Sequence, residues 1–331
     1  MSAAKPSVPN IMAVSDAPST LGTWIAPQLI QSSGKKATKR YFEFFTANIR
    51  NWNTRVAYHR ALVDFFAWCD GRKLSLDDLE PIVIAAYVEY MITIYSKPTV
   101  KQHLAAIRMC LDWLVVGQII PMNPSSSVRG PKYVIKRGKT PVLTSEEARQ
   151  LLDSIDTSTV VGLRDRALIA TMLFTFARIS AVVGMKVDDY YQIGKRSWIR
   201  LHEKGGKHHE VPAHHTAEEY LDAYLKATGH GIEKTAPLFL TAVGKTNRLT
   251  GNRLTRHDAF RMIKRRAIAA GLSNKVCCHT FRATGITAYL ENGGTVENAQ
   301  AIAAHESPRT TKLYDRTNDE ITLDEIERIR I

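Results

Sequence analysis

The chain has 331 residues, 44% hydrophobic and 23% charged, and its 45 Lys and Arg outweigh 32 Asp and Glu to give a formal net charge of +13. That length exceeds the usual size of one hydrophobic core and favours two domains, while the lack of any apolar run long enough to span a bilayer excludes a helical membrane protein. The N-terminus lacks a signal-peptide pattern, four cysteines (Cys69, Cys110, Cys277, Cys278) are too few for a disulfide scaffold and point to a reducing compartment, and the positive excess points to a polyanion partner.

Residues 1–35, rich in Ala, Ser and Pro without helical period, read as a flexible tail in which Trp24 to Pro27 can dock locally. The basic cluster Lys35, Lys36, Lys39 and Arg40 is either solvated or a first phosphate contact. From there to Arg129 the pattern is helical. Asn53-Thr54-Arg55 is expected to cap a helix carrying Val56, Leu62, Val63, Phe66 and Ala67 inward. Ser75-Leu76-Asp77-Asp78 has the capping-box pattern of a short helix, and Pro81 begins a longer one. A fourth starts at Ser96 to Thr99 and buries Val100, Leu104, Ile107, Leu111 and Leu114, with Lys97, Lys101, Gln102 and Arg108 on its polar side.

Gly130-Pro131 breaks regular structure and opens a basic linker over residues 130–140, placed to cross a phosphate backbone. Thr144 or Ser145 caps the first helix of the second domain, and the apolar run from Gly162 to Phe176 reads as a buried helix delivering Arg178. Trp198 to His202 and His209 to Pro212 alternate like strands around a tip containing Lys204, Gly205, Gly206 and Lys207. Arg253, Arg256, Arg261, Lys264, Arg265 and Arg266 cluster around apolar Phe260, Ile263 and Ala267 as an amphipathic helix with a cationic face. Beyond Tyr314, residues 315–331 carry an apolar stripe of Ile321, Leu323, Ile326 and Ile329 that can pack in cis or on another protomer.

The last helices carry the chemistry. His279 and Arg282, three apart at a helix start, share one face; His305 follows at a helix end and Tyr314 nine residues later. Arg offers a rigid fork of donors to phosphate oxygens, His moves protons near neutral pH, and Tyr becomes a covalent nucleophile where its surroundings favour the phenolate. Paired histidines (His208, His209, His214, His215) and Cys277-Cys278 do not form the spaced ligand pairs of a structural zinc site. No phosphate-cradling Gly-x-x-x-x-Gly-Lys motif occurs, so no metal or cofactor is expected.

In the order Arg178, Lys204, His279, Arg282, His305 and Tyr314 the chain resembles the tyrosine recombinases, the integrase family of site-specific DNA recombinases. The resemblance implies a mostly α fold with a small β-sheet in the catalytic domain: an N-terminal helical core-binding domain (36–129) and a C-terminal α+β catalytic domain (141–331), in which 237–240 is similar to the family's short strand before its basic helix. It implies cutting and rejoining of DNA strands through a 3′-phosphotyrosyl bond, without metal or ATP, by a homotetramer on paired double-stranded DNA sites. The task would be integration, excision or resolution of DNA elements in the cytoplasm, at the nucleoid. Candidate DNA contacts are Arg55, Lys97, Lys101, Gln102, Lys132 and Lys207. Two departures stand out. The family commonly has an acidic residue three after the first Arg, where this chain has Ala181; its supporting hydrogen bond is then either missing or supplied elsewhere, with Asp188 or Asp189 as the candidates. Its second His usually follows Gly, here Ala304. Topoisomerase-like relaxation and a non-catalytic DNA-binding regulator are the alternative readings.

Overall fold

The structure, a computed structural model, describes residues 24–134, 138, 140–203, 206, 208–244 and 246–314. The chain divides into two compact units, Met1–Val134 and Ile135–Ile331, each with its own apolar core.

The first unit is helical: α1 (Gln28–Ser32), α2 (Lys35–Asn48), α3 (Trp52–Asp70), α4 (Pro81–Ile94) and α5 (Lys97–Val116). Aromatic rings fill its core, with Tyr41, Phe44, Phe45, Phe65 and Phe66 fully buried. Leu29 and Ile30 belong to that core and Trp24 stacks on His59 with ring centroids 3.9 Å apart. Burying such apolar side chains contributes about 1.5–3 kcal/mol each. Residues 24–32, expected to lie within a flexible tail, therefore belong to the packed unit. The cap of α3 is Asn51, whose side chain accepts from the Thr54 amide at 3.2 Å, in place of the expected Asn53. Ser75 to Asp78 forms a turn instead of a helix: the Asp78 carboxylate takes both the Ser75 amide (2.8 Å) and its hydroxyl (2.7 Å), which closes the loop locally. Pro98 lies in the first turn of α5, where its missing N–H costs nothing.

The second unit opens with α6 (Ser145–Asp153), α7 (Val160–Thr175) and α8 (Ile179–Gly184). Thr144 and Glu147 form the capping box of α6. An antiparallel sheet of β1 (Tyr190–Ile193), β2 (Arg196–His202) and β3 (His208–Pro212) follows, with Ile199 opposite Val211. The first of these strands was not anticipated, because Tyr190 to Ile193 is too short to show alternation. Then come α9 (His215–Thr228), the ribbon β4 (Leu240–Ala242) and β5 (Leu249–Arg253), α10 (Arg256–Ala269), α11 (Cys278–Glu291), α12 (Val296–Ile302) and α13 (Pro308–Lys312). The strand expected over 237–240 begins only at Leu240, Pro237 making an isolated bridge to Lys186.

Helix α11 presses on α7 at Gly285. A Cβ there would lie 2.1 Å from the Leu173 carbonyl oxygen, so only glycine permits the approach. The expected cationic face of α10 is partly spent inside the fold. Arg266 donates to the buried Asp165 carboxylate at 2.8 and 3.0 Å, which Arg164 also grips, and Arg253, on β5, donates to the carbonyls of Val183 and Met185. A buried carboxylate keeps its charge only with such partners. No described helix is long and apolar enough to cross a membrane.

Candidate active site

Helix α7 stops at Phe176, whose backbone turns left-handed at φ 55°. This turn releases the chain so that Arg178 becomes the N-cap residue of α8. The Arg178 guanidinium donates to Glu203 Oε2 at 2.6 Å, and its backbone N–H lies 3.4 Å from Oε1 of the same carboxylate. Asp188 and Asp189, the candidate substitutes for an acidic residue at 181, do not fill that role. Asp189 accepts from the Lys186 backbone and pairs with His202 and Arg200, because the helical turn Val187–Asp189 directs it to the sheet.

His279 and Arg282 stand on the first turns of α11. Arg282 is 2% exposed and reaches two carbonyls, those of Phe176 and Ala303, the latter at 2.6 Å. It thereby fastens the end of α7 to the end of α12. After α12, Ala304 adopts φ 47° and swings His305 inward. His305 Nδ1 lies 2.8 Å from the buried Thr311 hydroxyl, which fixes its ring. Tyr314 follows α13, its ring stacked on His305 with centroids 6.1 Å apart and planes within 5°. The Thr287 hydroxyl donates to the Tyr314 carbonyl at 3.1 Å, and the Gly138 N–H donates to the Leu313 carbonyl at 3.0 Å.

These groups share one electrostatic field. Burial, then the cations Arg282 and Arg178, push His305 from 6.5 down to about 3. The ring of His279, although its residue is exposed, is held below its ordinary value by partial desolvation and the same two arginines. Arg282 itself is drawn down to about 10 by burial and by Arg178, opposed by Glu203 and Tyr314. The site is thus a cationic pocket with neutral imidazoles, suited to an anionic group that spreads charge over several oxygens.

Of the expected catalytic residues, Arg178, His279, Arg282, His305 and Tyr314 converge here, and Lys204 lies outside the described residues. Gly206, at φ 77°, takes the left-handed turn near the hairpin tip. Lys97, Lys101 and Gln102 are exposed on the first turns of α5, and Lys132 is exposed in the same unit. Arg55 Nε donates to the Ile49 carbonyl, and Lys207 lies outside the described residues, as do 315–331. Glu203 and Thr311 were missed. The signal for Glu203 was available: Ser197, Ile199 and Leu201 face inward along β2, and the same alternation carries Glu203 to the buried side, where an anion requires a cation.

Two expectations follow. The unfolded chain protonates His305 near pH 6.5 and the folded chain only near pH 3. The stability carried by neutral His305 is therefore complete above pH 6.5 and lost as pH falls from there towards 3, with a slope of at most about 1.4 kcal/mol per pH unit. Urea midpoints measured between pH 7 and 5 should fall less steeply for His305→Gln than for the parent. Ala304→Gly should raise stability by about 1 kcal/mol in the same assay, since a non-glycine residue in the left-handed region costs about 1–2 kcal/mol.

A mostly helical unit paired with an α+β unit holding clustered Arg, His and Tyr defines the class of enzymes that transfer DNA strands through tyrosine. Residues 141–320 match the phage integrase family and residues 39–117 its N-terminal SAM-like domain. The chain belongs to this family, the tyrosine recombinases, and is a site-specific DNA recombinase. It is 28% identical over 265 residues to tyrosine recombinase XerD of Listeria monocytogenes, covering 79% of this chain and 87% of that protein. It is 31% identical over 230 residues to tyrosine recombinase XerC of Chlamydia muridarum, covering 69% of each. The fold is similar to that of XerH recombinase bound to its difH substrate before cleavage (TM-score 0.64, 20% identity, 89% of this chain and 84% of that one). It is likewise similar to a lambda integrase tetramer bound to a Holliday junction (TM-score 0.64, 17% identity, 86% and 78%).

Proposed function

We propose that Tyr314 attacks a scissile DNA phosphate and forms a 3′-phosphotyrosyl bond, releasing a 5′-hydroxyl. Arg178 and Arg282 bind the non-bridging oxygens, where negative charge grows in the transition state, and His305 donates a hydrogen bond to the same phosphate. His279 accepts the tyrosine proton and Lys204 protonates the leaving 5′-oxygen, steps typically worth about 10²–10⁴ in rate each. Attack by a partner strand's 5′-hydroxyl reverses the bond, so neither ATP nor a metal is consumed. The observation that carries the reading is the single field in which Arg178 and Arg282 act on both histidines while Tyr314 stacks on His305.

In this reading the helical unit is the core-binding domain, with Lys97, Lys101, Gln102, Arg55 and Lys132 on phosphates, Lys207 beside the catalytic hairpin, and the basic linker 130–140 crossing the backbone. Four protomers act on two paired sites, as the lambda integrase tetramer on its junction suggests. The work is done in the cytoplasm, at the nucleoid. The test is covalent trapping on a denaturing gel, using nicked duplexes from the flanks of the protein's own gene, with the parent beside Tyr314→Phe. An adduct with the parent alone supports the proposal; an adduct with both sinks it.

A further inference from the structure

We infer that Glu203 is a positioning residue for strand transfer, a carboxylate from the end of β2 that clamps Arg178 and does the work a carboxylate at position 181 would do. The inference rests on the proposed phosphate-binding role of Arg178. The Glu203 side chain is 2% exposed and holds Arg178 twice, by the guanidinium at 2.6 Å and by the backbone N–H at 3.4 Å. Gripping both ends of one residue fixes its rotamer and the α7–α8 corner together. The Arg178 side chain keeps 33% of its surface exposed, so one edge is clamped while the rest faces outward for a ligand.

Charge and covalent connection add to the geometry. Arg178 and Arg282 repel each other, and the Glu203 carboxylate works against that repulsion at Arg282. Residue 181 lies three positions after Arg178 on α8, one helical step away, and its alanine is 1% exposed and offers no charge. Glu203 also precedes Lys204 directly in the chain. On the facing strand, His209 Nε2 lies 3.1 Å from the carbonyl of Ile302, the last residue of α12 before the turn to His305. The base of the hairpin is therefore fastened on one strand to Arg178 and on the other to the segment that sets His305. A carboxylate at 181 could orient the arginine; Glu203 also joins the arginine to the end of β2, one residue before Lys204 in the chain.

The experiment is single-turnover cleavage of the flanking duplex that yields the Tyr314-dependent adduct, with affinity for the same duplex measured by gel shift and folding by circular dichroism. Glu203→Gln keeps the shape and removes the charge. It should slow cleavage roughly ten- to a hundredfold, the value of one charge-assisted hydrogen bond expressed as a rate, with affinity and folding unchanged. Adding Ala181→Glu or Ala181→Asp to Glu203→Gln should recover most of the lost rate, a rescue that a purely structural role for Glu203 does not predict. Cleavage by Glu203→Gln at the parent rate overturns the inference, as does a slow variant that neither folded double restores. Arg178→Ala separates the two levels. If it cleaves like the parent, the role given to Arg178 falls and the clamp with it; if it fails while Glu203→Gln does not, only the clamp falls.

Discussion

Tyr314→Phe is expected to reduce covalent adduct to background while leaving DNA binding and folding nearly untouched. The ring is what holds this residue in place. It stacks on His305 and packs against the small apolar cluster of Phe176, Ile286 and Leu290, and its backbone is fixed by the Thr287 hydroxyl and the Thr311 carbonyl. Phenylalanine keeps all of these and loses only the hydroxyl, so the melting midpoint should shift by less than about 1 kcal/mol equivalent. With Tyr314 as the proposed nucleophile, the variant has no covalent route. The variant should still compete with the parent for the same duplex, and mixing the two should give fewer completed exchanges than dilution alone if protomers cooperate on paired sites. An adduct from the variant would move the nucleophile to another residue.

Much of this site was open to reading because its members lie close in sequence. His279 and Arg282 sit one helical step apart, and the rule that such residues share a face needs no tertiary knowledge. The same holds for the start of α6, where Thr144, one of the two expected caps, closes a capping box with Glu147, and for strands β2 and β3, whose alternation survives in the burial of Ile199, Leu201 and Val211. What failed were pairings across the fold. Glu203 meets Arg178 over 25 residues and Arg266 meets Asp165 over 101. Nothing local distinguishes Arg266 from its exposed neighbour Arg265, and only the position of α10, packed on α8 and α11, turns one of them towards Asp165. The Ser75–Asp78 signature failed for a different reason: the same side-chain bonds that start a helix also close a turn, and the following residues decide which is made. Ala304 shows a third kind of limit. An alanine does not announce a left-handed backbone, and the demand comes from His305, which must be brought to Thr311 and Tyr314.

Arg282→Ala should cost both the chemistry and about 3–5 kcal/mol of stability, and the two losses have one origin. The guanidinium is buried and donates to the carbonyls of Phe176 and Ala303. Both carbonyls end helices whose next residues lead into the site, Phe176 towards Arg178 and Ala303 towards His305. Truncation leaves two buried acceptors unpaired and frees both corners at once, so cleavage should fall by more than the roughly 10²–10³ expected for removing a single oxyanion donor. Arg282→Lys separates the contributions. A single ammonium keeps a positive charge in the pocket but cannot make the two divergent donations, so duplex affinity should stay close to that of the parent while cleavage drops nearly as far as in Arg282→Ala. Urea unfolding should place Arg282→Lys between the parent and the alanine variant. If Arg282→Lys cleaves at the parent rate, charge alone suffices and the bridging geometry is not needed for the reaction; if Arg282→Ala unfolds at the parent midpoint, the two carbonyls are not held by this side chain.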